Sequence, residues 1–217
     1  MSKYELAVFD VDGTLLDTSE GIISSVLYTI ERFKMDRLSE DQIKNFIGPP
    51  IKNSFEKIYG IHGAELQEMT DCFRNRYSAE DLFKAKAYDG IYEVFDGLRQ
   101  RSVTTAIATY KRHDYAVGIM RHFKFDKFSD IIFGADNDNK LKKEDIIEKC
   151  IEVSGVKDRK KVVMIGDSDN DAIGAEQLGV DFIAVTYGFG FHSKDDCNAF
   201  ANVGIAEKPV DILDLIK

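Results

Sequence analysis

The chain has 217 residues, of which 44% are hydrophobic and 31% charged, and its formal net charge is −9. That length suits one α/β domain or a core with a modest insertion, and it can bury enough apolar surface to fold without disulfides. The acidic balance argues against a nucleic-acid partner, because a negative surface repels the phosphate backbone, but it leaves room for a small phosphorylated ligand at a site that concentrates cations.

Met1-Ser2-Lys3-Tyr4 runs straight into an apolar segment, with no long apolar core and no small-residue cleavage site, so no signal peptide is expected. No run approaches the ~18 apolar residues of a membrane span. The expectation is a cytoplasmic protein without a membrane partner.

Leu6 to Phe9 is the first of five short apolar runs that read as buried parallel strands. The others are Val103 to Ala108, Ile131 to Phe133, Val162 to Ile165 and Phe182 to Val185. After the first run, from about Leu16 to Ala85, the pattern changes to helical spacing. Ile22, Ile23, Val26, Ile30 and Phe33 share one face, as do Leu66, Met69, Phe73 and Tyr77. Gly48-Pro49-Pro50 and the stretch from Gly60 to Gly63 interrupt it. Further on, Ile91, Val94, Phe95 and Leu98 predict a helix before the second strand. Ile146, Ile147, Cys150, Ile151 and Val153 predict another before the fourth. The fold class is therefore α/β: a doubly wound, Rossmann-like parallel sheet (1–15 and 86–217) with an inserted helical bundle (16–85). Ligands of such sheets bind beyond the carboxyl ends of the strands.

Four polar segments sit at strand ends or helix starts. In Phe9-Asp10-Val11-Asp12-Gly13-Thr14-Leu15, Asp10 can attack an electrophile and Asp12 can handle a proton. Gly13 permits the turn, and the Thr14 hydroxyl can fix it or bind phosphate. A solvated Asp-Gly turn is the bland alternative. In Gly166-Asp167-Ser168-Asp169-Asn170-Asp171, Asp167 could complete a Mg²⁺ site begun by Asp10, with Asp171 orienting it. The start of a calcium loop looks similar, but its glycine and distant glutamate are missing here. Thr109-Tyr110-Lys111-Arg112 offers a hydroxyl and backbone N–H groups for phosphate, or a plain helix cap with exposed cations. Lys142-Lys143 opens a helix, where one lysine could offset repulsion between phosphate and Asp10. The three cysteines, Cys72, Cys150 and Cys197, are far apart and odd in number, which predicts free thiols.

The order of these four segments resembles the haloacid dehalogenase superfamily, whose motifs are Asp-x-Asp-x-Thr, a Ser or Thr after a strand, a Lys, and Gly-Asp-x-x-x-Asp. The resemblance covers essentially the whole chain. The chain looks like the subgroup whose cap follows the first motif, as in phosphoglycolate phosphatases and related nucleotidases, and whose cap segment is similar to Phe46-Ile47-Gly48-Pro49-Pro50-Ile51 and Phe55. The resemblance implies a Mg²⁺-dependent phosphatase for a small phosphorylated metabolite. Asp10 would form an aspartyl-phosphate, and Asp12 would act as general acid and then base. Thr109 would bind phosphoryl oxygens, and Lys143 rather than Lys142 would neutralise charge. Asp10, the Asp12 main-chain carbonyl and Asp167 would ligate the metal, with Asp171 supporting. Thr14, Tyr110 and Lys111 are further candidates for substrate binding, and residues 16–85 would be a cap that closes over the substrate. Tyr110 departs from the family's common Asn, and Glu144 from a frequent Pro. The acidic loop 134–140 resembles the subgroup only loosely. Lys52, Arg74 and Arg76 could meet an anion, although solvated helix charges are the simpler reading.

Asp12 argues against dehalogenase chemistry, since halide needs no proton. A β-phosphoglucomutase-like mutase would keep Asp12 and stays open. A phosphoacceptor switch is the non-enzyme alternative, although receiver domains are shorter and lack the inserted bundle. A monomer or weak dimer is expected.

Overall fold

The computed structural model describes residues 2–137 and 140–217; Asp138 and Asn139 of the acidic loop lie outside the described residues, as does Met1. The chain begins with β1 (Leu6–Phe9) and β2 (Leu16–Asp17). Four helices follow: α1 (Ser19–Arg32), α2 (Glu40–Lys44), α3 (Ile51–Tyr59) and α4 (Gly63–Arg76). After β3 (Lys86–Ala87), helices and strands alternate: α5 (Ile91–Gln100), β4 (Thr104–Arg112), α6 (His113–His122), β5 (Ile131–Ala135), α7 (Lys143–Ser154), β6 (Val162–Gly166), α8 (Asp169–Leu178), β7 (Asp181–Val185), α9 (Lys194–Asn198), β8 (Gly204–Ala206) and α10 (Ile212–Leu215). Two compact units result, Met1–Asp17 with Ala87–Lys217, and Thr18–Lys86.

In the larger unit six parallel strands form one sheet in the order β5-β4-β1-β6-β7-β8. This is the doubly wound order, with its switch point beside β1. Every residue of β1 and β6 is buried, because helices cover both faces. Leu6 and Val8 join the cluster formed with Ile146, Ile147 and Cys150 of α7 and with Ala172 and Ala175 of α8. Phe9 faces the opposite way and stacks on Phe95 of α5, with ring centroids 4.9 Å apart. All five expected strands are present. Some details differ from expectation, among them the short strands β2 and β3, which pair with each other where no strand was expected. Val153 is 60% exposed, so the core face of α7 ends at Ile151. β8 was not anticipated.

In the smaller unit the sequence breaks coincide with helix ends. Pro50 precedes the first residue of α3, and Gly60 closes that helix in the left-handed conformation at φ +66°. Val26 and Ile30 of α1 and Leu66, Met69 and Phe73 of α4 are buried. Ring contacts run Phe46–Phe55–Phe73–Tyr77, with centroids 5.0, 6.4 and 5.5 Å apart. After α4 the backbone widens into one π turn, Tyr77–Asp81. The fully buried Asp81 carboxylate accepts from Ser25 at 2.8 Å and pairs with Arg76 at 3.1 Å and Lys84 at 2.8 Å.

Candidate active site

Strand register decides what meets at the carboxyl edge of the sheet. Phe9, the last residue of β1, lies beside Ile107 of β4 and Ile165 of β6. Asp10, Thr109 and Asp167 therefore emerge close together, and the Asp10 N–H donates to the Ile165 carbonyl at 3.0 Å. All three are buried, with exposures of 7%, 1% and 4%.

Two lysines hold the first motif. The Lys143 ammonium, 2% exposed, sits 2.6 Å from Asp10 Oδ1 and 2.7 Å from Asp171 Oδ1. The Lys111 ammonium sits 3.0 Å from Asp12 Oδ1. Of the two lysines at the head of α7, only Lys143 enters the site. The Lys142 side chain is 74% exposed and lies 3.7 Å from Glu144. The Lys142 backbone N–H instead donates to Asp145 at 2.9 Å, which caps the helix.

Asp171 occupies the third position of α8, where its Oδ2 accepts from the Ser168 N–H at 3.2 Å and the Ser168 hydroxyl at 2.7 Å. A carboxylate suits a helix N-terminus, so the cap fixes Asp171 while its other oxygen reaches Lys143. Thr109 Oγ1 accepts the Lys111 N–H at 3.2 Å, which leaves the hydroxyl hydrogen to donate elsewhere. Thr14 is fully buried, and its hydroxyl has no hydrogen-bond partner among the described residues. The Tyr110 hydroxyl accepts the Lys143 N–H at 3.0 Å. Lys52 reaches Gln67 at 3.4 Å on the surface, and Arg76 is held by Glu80, Asp81 and the Tyr28 ring.

The sequence reading missed the loop after β7. In Tyr187-Gly188-Phe189-Gly190, the Phe189 and Gly190 N–H groups donate to Asp167 Oδ2 at 2.6 and 3.1 Å. The Tyr187 hydroxyl donates to the Thr14 carbonyl at 3.1 Å. A Cβ at Gly188 would lie 2.3 Å from the Gly13 carbonyl oxygen and 2.4 Å from Asp167 Oδ2, so only glycine lets this loop close on the site. Gly13 itself adopts φ +86°, and a side chain there would strike Asp167. Two glycines just after a buried strand were the available signal.

Burial pushes the Asp10 carboxyl up to about 7; Lys143 opposes this, while Asp171 and Asp12 add to it. Burial likewise pushes Asp167 up to about 8, reinforced by Asp171 and Asp10 and opposed by the two loop N–H groups. Burial works against the Lys143 ammonium, but Asp10 and Asp171 outweigh it and hold the group charged. Carboxylate oxygens of Asp10, Asp167 and Asp171 lie within 4.8 Å of one another. Were all four carboxyls ionised, Asp10, Asp12, Asp167 and Asp171 would set four negative charges against two positive on Lys111 and Lys143, an excess of two, which is why burial drives protons onto Asp10 and Asp167. A hard divalent cation among oxygen donors answers both facts.

Residues 7–185 match the family of haloacid dehalogenase-like hydrolases. The chain belongs to that family. A 5'-nucleotidase of Pseudomonas aeruginosa is 35% identical over 198 residues, covering 91% of this chain and 88% of that protein. The pyrophosphatase PpaX of Halalkalibacterium halodurans is 29% identical over 210 residues, covering 96% of this chain and 95% of that one. Among solved structures, one described as a "predicted phosphatase from Clostridium acetobutylicum" superposes with a TM-score of 0.87 at 35% identity, covering 97% of this chain and 96% of that one. The chain is thus an enzyme of the phosphatase class within this hydrolase family. No helix among the described residues is long and apolar enough to cross a membrane.

Proposed function

We propose that this hydrolase is a Mg²⁺-dependent phosphomonoesterase for a small phosphorylated metabolite, acting through an aspartyl-phosphate on Asp10. The observation that carries the reading is the buried Asp10 carboxylate, held at 2.6 Å by Lys143 and facing Asp167 and Asp171. Asp10 and Asp167 would hold the metal, together with the Asp12 main-chain carbonyl. Asp171 supports from behind, since its two oxygens already serve Ser168 and Lys143. When bound, Mg²⁺ supplies charge neutralisation and in-line orientation for phosphoryl transfer.

The remaining work belongs to the chain. Lys143 holds Asp10 Oδ1, and the other carboxylate oxygen attacks phosphorus. Asp12 enters the cycle protonated, and as the bond to the leaving oxygen breaks it gives that oxygen its proton. The Thr109 hydroxyl donates to a phosphoryl oxygen, and Lys143 offsets the charge gathered there. Asp12 then takes a proton from the water that attacks phosphorus, which frees Asp10 and inorganic phosphate. Small phosphomonoesters such as nucleoside 5'-monophosphates and phosphoglycolate are the substrates to try first.

The test is phosphate release from a phosphometabolite panel with and without Mg²⁺, by wild type and Asp10→Asn. The amide keeps the shape but is no anionic nucleophile. Release should need Mg²⁺ and disappear in the variant; near-normal turnover by Asp10→Asn would rule the mechanism out.

A further inference from the structure

We infer that Tyr110 is a positioning residue for Lys143, its phenolic oxygen fixing the start of α7 and so the place of the Lys143 ammonium. Beside β4, Thr109 pairs with Gly134 but Arg112 pairs with the next residue, Ala135. Two additional residues, Tyr110 and Lys111, are thus accommodated in β4 as a bulge. Bulges beside active sites re-aim side chains. This one turns Lys111 to Asp12 and carries the Tyr110 hydroxyl to the Lys143 N–H, 3.0 Å away. The first N–H groups of a helix have no partner within it, so a buried helix start needs an outside acceptor. Tyr110 supplies that acceptor at the backbone of Lys143, and its ring lies 5.7 Å from the ammonium of the same residue. One side chain therefore borders Lys143 at both ends. Burial raises the phenol above its ordinary range, so it stays neutral beside the lysine. Tyr110 then acts on the reaction through Lys143 rather than by touching substrate.

The inference rests on the phosphatase reading for its catalytic consequence and on geometry alone for its contact. The experiment uses the full chain and Tyr110→Phe, which keeps the ring and removes only the oxygen. Amide hydrogen exchange at Lys143 should quicken, whether or not the protein turns over. With a phosphomonoester and Mg²⁺, kcat should fall about tenfold, the scale of one lost hydrogen bond to a buried group. KM should stay within about twofold, since placement and not substrate binding is lost. In a Lys143→Ala background, Tyr110→Phe should change the residual rate little, because the group it places is gone. Unchanged exchange at Lys143 would overturn the inference. So would a raised KM at constant kcat, or an equal fractional loss in both backgrounds. A wild type that hydrolyses no phosphomonoester defeats the phosphatase reading instead, and the exchange result still decides the contact.

Discussion

Asp10 and Asp12 share one turn but face different cations, and their chemistry should separate accordingly. If Asp12 protonates the leaving oxygen, Asp12→Asn should slow phosphorylation of the enzyme far more for an alkyl phosphate than for p-nitrophenyl phosphate, whose leaving group is stable as an anion. A pre-steady-state burst reads that step alone; equal slowing for both would leave Asp12 no role as general acid. The raised carboxyls at Asp10 and Asp167 also fix a pH dependence. Their folded values, about 7 and about 8, exceed the unfolded value. The stability they contribute is full below an unfolded pKa of about 3.9, and is lost as pH rises through the folded values. Metal-free protein should therefore melt lower at pH 8.5 than at pH 6. Mg²⁺ takes the place of those protons, so it should raise Tm more at the higher pH. A Mg²⁺ response that is equal at both pH values, or absent in wild type, would remove Asp10 and Asp167 as its ligands. Asp10, Asp12 and Asp167 were legible because each follows a buried run. The partners of Asp167 were not, because Phe189 and Gly190 contribute backbone N–H groups, which no side chain announces.

Among the elements, α7 and the loop after β7 deliver what the strands alone do not. The apolar face of α7 packs on the sheet through Ile146, Ile147 and Cys150, which sets its first residue, Lys143, against Asp10. That phase favours Lys143 over Lys142 in the sequence too, since Lys143 stands three and four positions before Ile146 and Ile147. Lys143→Ala should lower kcat/KM by far more than Lys142→Ala; the reverse order would reassign the phosphate lysine. The loop is judged by Gly188→Ala. The added methyl meets backbone at Gly13 and the carboxylate of Asp167 together. A shift of about 1 Å in a reacting group can cost on the order of 10²-fold. Kinetics should show that scale of loss with the fold retained by circular dichroism; full activity would mean the loop has room to spare. β8 escaped the sequence reading for a physical reason. It is only Gly204-Ile205-Ala206, at the edge of the sheet, too short to show a pattern. The Tyr110–Lys111 bulge was equally invisible, since a shift in register leaves no periodicity of its own.

Among the described residues, each compact unit buries apolar side chains of its own, Leu6, Val8 and Ile147 in the larger and Val26, Met69 and Phe55 in the smaller. The α/β class of the whole molecule was readable because alternating short aliphatic runs and amphipathic helices leave few other folds. The inserted helices were readable from spacing and from the breaks at Pro50 and Gly60. What spacing did not reveal is the polar centre of the smaller unit, Asp81. Burial works against its charge, but hydrogen bonds from Lys84, Ser25, Ser24 and Arg76 outweigh this and lower its pKa. A lowered carboxyl stabilises above its unfolded pKa, and that contribution is lost as pH falls through the folded value. Asp81→Asn should cost roughly 2–4 kcal/mol, towards the lower end because Lys84 and Arg76 keep some contact with water. Hydrogen exchange should quicken in α1 and α4; unchanged protection there would make the Asp81 cluster incidental.

The central claim is that Asp10 becomes phosphorylated, and one trapping measurement addresses it directly. Mg²⁺-loaded enzyme turning over a phosphomonoester is quenched within its first turnovers, reduced with borohydride and mapped by peptide mass. An acyl phosphate on Asp10 predicts homoserine at position 10, dependent on substrate and absent in Asp10→Asn. Phosphate release with no reduced residue, or with reduction at another carboxylate, would contradict the account.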